Sequence, residues 1–161
     1  MVSDRESTIP PARIAWDREL SAPLEDAQWT RICALVRTIS SNARCKLIHF
    51  NFVNRTYVTP MTLHKMDRTK PTGCPRCKHP TASFLHLAWS CPLIFDYWSK
   101  VVGRVRTVVH IPCALEPTIC LLVDIRDKKG QKVTLEFLHL LLLLAKRSVA
   151  ITRMGDVAPT K

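Results

Sequence analysis

The feature that most restricts this chain is a cysteine–histidine spacing. Eight residues separate Cys77 of Cys74-Pro75-Arg76-Cys77 from His86, and four more separate His86 from Cys91. Two thiols at a C-x-x-C spacing can converge on one ion. Zinc takes four such sulfur and nitrogen ligands in a tetrahedron. The second pair, His86 and Cys91, lies five apart across a helix end, with Pro92 starting the next helix, and Arg76 and Lys78 beside the thiols favour thiolate. The spacing predicts one structural Zn2+ per chain on Cys74, Cys77, His86 and Cys91. The plainer alternative is a set of free core thiols with a helix histidine. The pattern is neither the retroviral knuckle, with four residues between its second cysteine and histidine, nor the two-histidine finger. His79 competes poorly as a ligand, because a single residue separates it from Cys77.

A catalytic zinc keeps one coordination position open and needs an acid–base group nearby. Here all four positions are filled by protein atoms, and no Asp or Glu lies between Cys74 and Cys91. His79-Pro80-Thr81 also lacks the glutamate of the H-x-E deaminase signature. The site therefore reads as structural, pinning loop 71–91 against flanking helices so that metal binding counts toward folding.

The chain has 161 residues, 47% of them hydrophobic, which suits one globular domain. Its seven cysteines are an odd number, and Met1 to Pro10 hold no apolar signal-peptide stretch. A reducing, intracellular setting (nucleus or cytoplasm, not secreted) follows as the expectation. Cys33, Cys45, Cys113 and Cys120 fall on apolar faces and read as core residues. The apolar run from Phe137 to Ala145 contains His139 and ends at Lys146-Arg147, so it reads as a buried helix and not as a membrane anchor.

The formal net charge is +11, and its distribution is uneven. Residues 31–78 carry ten basic side chains and one acid, Asp67. Such a segment draws a phosphate backbone. Arg44, Lys46, Arg55, Lys65, Arg68, Lys70, Arg76 and Lys78 are the expected contacts to RNA or DNA. A solvated basic face without a partner is the plain alternative. Tyr57, Phe84 and Trp89 could stack on bases, although core packing is the simpler role for Trp89 and Trp98.

Hydrophobic periodicity predicts a mainly α fold, a small helical domain organised around the CCHC site. Trp29, Ile32, Cys33, Val36 and Ile39 mark one helix face. Cys45, Ile48 and Phe52 mark a second, with a strand possible at its end. Thr59-Pro60 starts a short helix, Cys91-Pro92 starts a long one with Ser90 or Cys91 as cap, and a last helix spans Val133 to Thr152. Arg147 and Arg153 there suit the helix dipole. Asp127 to Gly130 reads as a turn. The expected organisation is a flexible leader (1–13), a helical region with the zinc box (14–110), a C-terminal helical extension (111–153) and a frayed tail (154–161).

Trp16 and Trp29, then Lys46-Leu47-Ile48-His49-Phe50, Arg55-Thr56-Tyr57-Val58-Thr59-Pro60, Leu63-His64-Lys65-Met66, the box from Cys74 to Pro92, Trp98, and Leu141 to Arg147 together carry a resemblance. Over residues 14–150 the chain resembles the reverse transcriptase zinc-binding domain, the region after the polymerase in LINE-type non-LTR retrotransposon proteins. The resemblance implies a nucleic-acid-binding accessory segment, with zinc on Cys74, Cys77, His86 and Cys91 and with retrotransposon ribonucleoprotein components as partners. The polymerase's Y-x-D-D aspartates and the endonuclease are absent from this sequence, which is the pattern of a truncated element copy. No nucleophile triad, paired carboxylates or glycine-rich phosphate loop appears either, so the expectation is a binding protein without enzymatic activity, membrane association or small-molecule substrate. The alternative is a protein-interaction or scaffold remnant built on the leucine-rich helix 133–151.

Overall fold

The computed structural model describes residues 9–110, 112–125 and 132–160. They form seven α-helices: α1 Pro11–Glu19, α2 Asp26–Thr38, α3 Ala43–Val53, α4 Pro60–Met66, α5 Pro92–Val109, α6 Pro117–Cys120 and α7 Lys132–Thr152. One π-helical turn, His86–Ser90, precedes α5. There is no strand among the described residues.

Local chemistry explains most starts. Asn42 caps α3 by accepting from the N–H groups of Arg44 (2.9 Å) and Cys45 (3.3 Å). Thr59 Oγ1 accepts from Thr62 N–H at 3.1 Å, and Pro60 supplies the first helical position of α4. Glu25 and Gln28 form a capping box on α2. Cys91 is the N-cap of α5, but without a side-chain cap bond; Pro92 alone sets the start.

Helix α7 is the central element, packed on α3 and on α5, with α2 against α3 and the π-turn against α5. Leu138, Leu142, Leu143 and Val149 of α7 join Ile94, Trp98 and Val102 of α5 and Phe52 of α3 in one buried cluster. That cluster runs from Trp16 to Ala150. Residues 14–110 and 111–153 thus share a core and do not sit apart as separate regions.

Four sequence expectations need correction. Helix α1 begins at Pro11, inside the segment read as a leader. Its one buried residue, Trp16, is fully enclosed and donates Nε1–H to the Val53 carbonyl at 2.9 Å, an anchor that periodicity does not reveal. Residues 1–8 of that leader lie outside the described residues, as does the turn at 127–130. No strand follows α3, whose end buries Phe52 and Val53 as helical residues. Cys33 is exposed, because the buried stripe of α2 runs through Trp29 and Ile32 and leaves it outside. The tail after Met154 is tied down, since the Val157 carbonyl accepts from Arg76 and Pro159 is buried. None of the described helices is long and apolar enough to cross a membrane.

Candidate metal centre

The C-x-x-C segment sits in a tight loop. Cys74 N–H donates to the His79 carbonyl at 2.8 Å and Lys78 N–H to the Cys74 carbonyl at 3.0 Å. Ala82 N–H closes the loop on the Thr72 carbonyl at 2.8 Å. Lys78 takes a left-handed conformation (φ 61°), and that reversal brings the loop back over its own thiols. Gly73 suits the close approach of the two sides of this loop. A Cβ there would lie 3.2 Å from the His79 carbonyl oxygen.

The π-turn supplies the other half. An α-helix would turn residues five apart away from each other. In a π-turn the hydrogen bond runs from residue i+5 back to residue i. Cys91 N–H donates to the His86 carbonyl at 2.9 Å, so both side chains leave the backbone toward one point. Cys74, Cys77, His86 and Cys91 therefore converge, their ligand atoms all within 4.8 Å of one another. Cys77 Sγ lies 3.2 Å from His86 Nε2. Tetrahedral zinc with Zn–S bonds of about 2.3 Å places thiolates roughly 3.8 Å apart, so the quartet needs only a small contraction. The cluster can hold a metal ion. Its four positions are all protein atoms, the pattern of a closed, structural site.

The surroundings fit a metal–thiolate group. Burial raises the Cys91 thiol to about 11, so a bound metal ion, and not the protein around it, would have to draw off that proton. Burial also acts to raise Cys77, but hydrogen bonds from His79 N–H, Cys74 and Cys91 outweigh it and hold that thiol below its ordinary value. His86 is lowered by burial and by His79 and Arg76, which keeps it the neutral imidazole a metal needs. Arg76, only 7% exposed, donates Nη2–H to Thr152 O (2.6 Å), Nη1–H to Leu87 O (3.3 Å) and Nε–H to Val157 O (3.4 Å). It meets no carboxylate among the described residues. A buried cation facing only neutral carbonyls lacks a counter-charge. Three thiolates around a divalent ion carry one net negative charge and supply it. His79, the weaker candidate ligand, stays outside the quartet with its ring stacked on His86 at 4.8 Å.

The eight basic residues expected to meet nucleic acid fall into three sets. Lys65, Arg68, Lys70 and Lys78 are exposed around α4 and the metal loop, with Lys70 4.0 Å from Asp67. Arg44 is exposed and Lys46 half-buried on α3. Arg55 and Arg76 are committed internally, which corrects their assignment to the surface. Arg55 pairs with Glu19 at 2.7 Å, donates to Ala15 O at 2.8 Å and lies over the Trp16 ring at 5.0 Å. The aromatic candidates are likewise spoken for: Phe84 and Trp89 are buried and Tyr57 is half-buried against Phe52.

Sequence reasoning missed two arginines and one buried pair. Arg147 and Arg153 line a groove with Arg44 between α3 and α7. No signal short of the helix packing joins residues a hundred positions apart. His49 and Lys146 meet inside the core, where an apolar run ending in Lys-Arg gave no hint that the lysine points inward. No protein-family model matches this chain, and no curated protein matches it.

Proposed function

We propose that this chain is a zinc-stabilised nucleic-acid-binding module, similar to the reverse transcriptase zinc-binding domain of LINE-type retrotransposon proteins, acting by binding rather than catalysis. The observation that carries the reading is the closed Cys3His quartet flanked by exposed cations. Lys65, Arg68, Lys70 and Lys78 stand on the loop and helix that the quartet fixes, with Asp67 as the one acid among them. One Zn2+ per chain would hold the 72–82 loop to the π-turn, and through Arg76 to the end of α7. The ion supplies bond energy to folding; the surface lysines and arginines meet phosphate oxygens. Retrotransposon ribonucleoproteins inside the cell are the setting in which such a module acts.

The test is metal content together with salt-titrated binding of RNA and DNA. About one zinc per chain and a log–log salt slope of several units support the reading. A folded chain without zinc, or one that ignores nucleic acid at low salt, defeats it.

A second reading rests on α7. Phe137, Leu140, Leu144 and Ile151 stay exposed along it. Leu141 and Leu144 join Val101 and Val108 of α5 in a groove of about 500 Å3. A protein scaffold role fits that apolar surface. Concentration-dependent association, lost in Leu144→Glu, would favour it.

A further inference from the structure

Helices α3 and α7 cross to leave a groove of about 410 Å3 whose lining includes Arg44, Arg147 and Arg153 together with Leu47, Tyr57 and Ile151. We infer that this groove is a binding site for single-stranded nucleic acid, distinct from the cations around the metal loop. The inference rests on the nucleic-acid reading above and assigns it a place and a strand preference.

Three observations carry it. First, three guanidiniums from α3, α7 and the turn after α7 share one concavity, and none has a carboxylate within 4.0 Å among the described residues. The side chains of Arg44 and Arg147 make no hydrogen bond among those residues either. Arg153 is held in place, donating Nη1–H to Ala150 O at 2.7 Å with its guanidinium 5.0 Å over Tyr57, yet its Nε is buried with no partner. Three guanidiniums lining one concavity raise its positive potential, which favours an anionic ligand there.

Second, the rim between the arginines is apolar. Leu47 is 57% exposed and Ile151 70% exposed. A phosphate-only patch has no use for them, whereas an unstacked base has an apolar face to lay against them. Third, the shape selects the strand. A duplex keeps its base faces stacked inside and presents a convex cylinder of phosphates, which cannot enter a groove between two packed helices. A single strand can place phosphates on the arginines and a base on the apolar rim. By contrast, near the metal loop Lys78 is bonded to its own loop at Pro75 O and Lys70 faces Asp67, so two of the four cations there are partly satisfied.

The experiment uses the full, zinc-loaded chain. The probes are fluorescein-labelled oligouridine and oligothymidine of about 15 nucleotides, an RNA hairpin duplex, and vesicles of phosphatidylcholine with phosphatidylserine. Wild type is compared with Arg44→Glu plus Arg147→Glu, and with the control pair Arg18→Glu plus Arg104→Glu. All four positions are exposed, and metal content reports folding. Arg44→Gln plus Arg147→Gln gives the same reading should the glutamates unfold the chain. The expected result is tighter binding of single strands than of the hairpin. The groove pair should lose about tenfold or more in affinity, with the salt slope reduced by about 1.4. The control pair should keep most of the single-strand affinity. Unchanged single-strand affinity in the groove pair, or an equal loss in the control pair, overturns this site and leaves the broader reading standing. Equal hairpin binding overturns the strand assignment. Binding of vesicles without nucleic acid, or of neither, overturns both.

Discussion

Lys146 Nζ lies 2.5 Å from His49 Nδ1 inside the core, and neither side chain is exposed at all. Lys146 also donates to the Leu121 carbonyl at 3.2 Å, and His49 Nε2 has no partner among the described residues. Burial, then Lys146, then His139 push His49 down to about 2, and burial drives Lys146 well below its ordinary range. Both bases therefore bind fewer protons folded than unfolded, so stability rises with pH wherever the unfolded chain is the more protonated. For His49 that contribution is present above about 6.5 and lost as pH falls toward 2. For Lys146 stability keeps climbing on the alkaline side toward 10.5. Urea midpoints measured from neutral to pH 9 should rise, with a limiting slope of about 1.4 kcal/mol per pH unit from this group. In Lys146→Met the alkaline rise should flatten. A wild-type midpoint that stays as flat as that of Lys146→Met over this range would show that the lysine is charged in the fold.

The same pair separates a hydrogen bond from its burial. Lys146→Met alone strands His49 Nδ1 and the Leu121 carbonyl, which costs about 1–3 kcal/mol. Near neutral pH it also spares the fold the deprotonation of a buried lysine, so the net loss should grow as pH rises. Replacing both partners, Lys146→Met with His49→Leu, should recover most of that loss, because only the Leu121 carbonyl then stays unpaired. Chemical denaturation of the two variants side by side checks it.

Arg55 and Arg76 should behave as structural residues despite their charge. Arg55→Gln removes the Glu19 pair and the stacking on Trp16, and should cost about 1–2 kcal/mol. Arg76→Met leaves three carbonyls without their charged donor and should cost about 3 kcal/mol or more. In zinc-loaded, folded protein neither should change the salt slope of nucleic-acid binding. A slope reduced by either variant would return that arginine to the interface.

How far these features could be read in advance follows from their range. The CCHC quartet is legible because all four ligands lie within residues 74–91 and ligand geometry ties each type to its spacing. The α4 and α5 starts and α7 are legible because caps, prolines and 3.6-residue periodicity act within one or two turns. What stays hidden depends on contacts across the chain. Trp16 reaches Val53, Arg55 reaches Glu19, Lys146 reaches His49, and Arg44 meets Arg147 only because α3 packs on α7. A charge count treats Arg76 and Lys78 alike, although one is buried under three carbonyls and the other faces water. Helix α1 hides for a related reason: one buried tryptophan has no period.

Metal removal should show where the fold depends on the quartet. Cys74 and Cys77 belong to the 72–82 loop, His86 and Cys91 to the π-turn, and Arg76 links both to the end of α7 through Thr152. Without a metal the thiols lose their only strong mutual attraction, and Arg76 loses the negative group that balances it. Structural zinc contributes on the order of 10 kcal/mol of apparent binding free energy, about as much as a small domain's whole stability. Chelation or Cys91→Ser should therefore abolish cooperative unfolding around the π-turn and α5, seen as lost near-ultraviolet dichroism from Trp89 and Trp98, while part of the helical signal survives. Adding back one equivalent of zinc should restore the wild type and leave Cys91→Ser unrestored. Unchanged tryptophan dichroism after chelation would mean that core packing, led by Ile94 and Trp98 against α7, holds this end of the molecule without the ion.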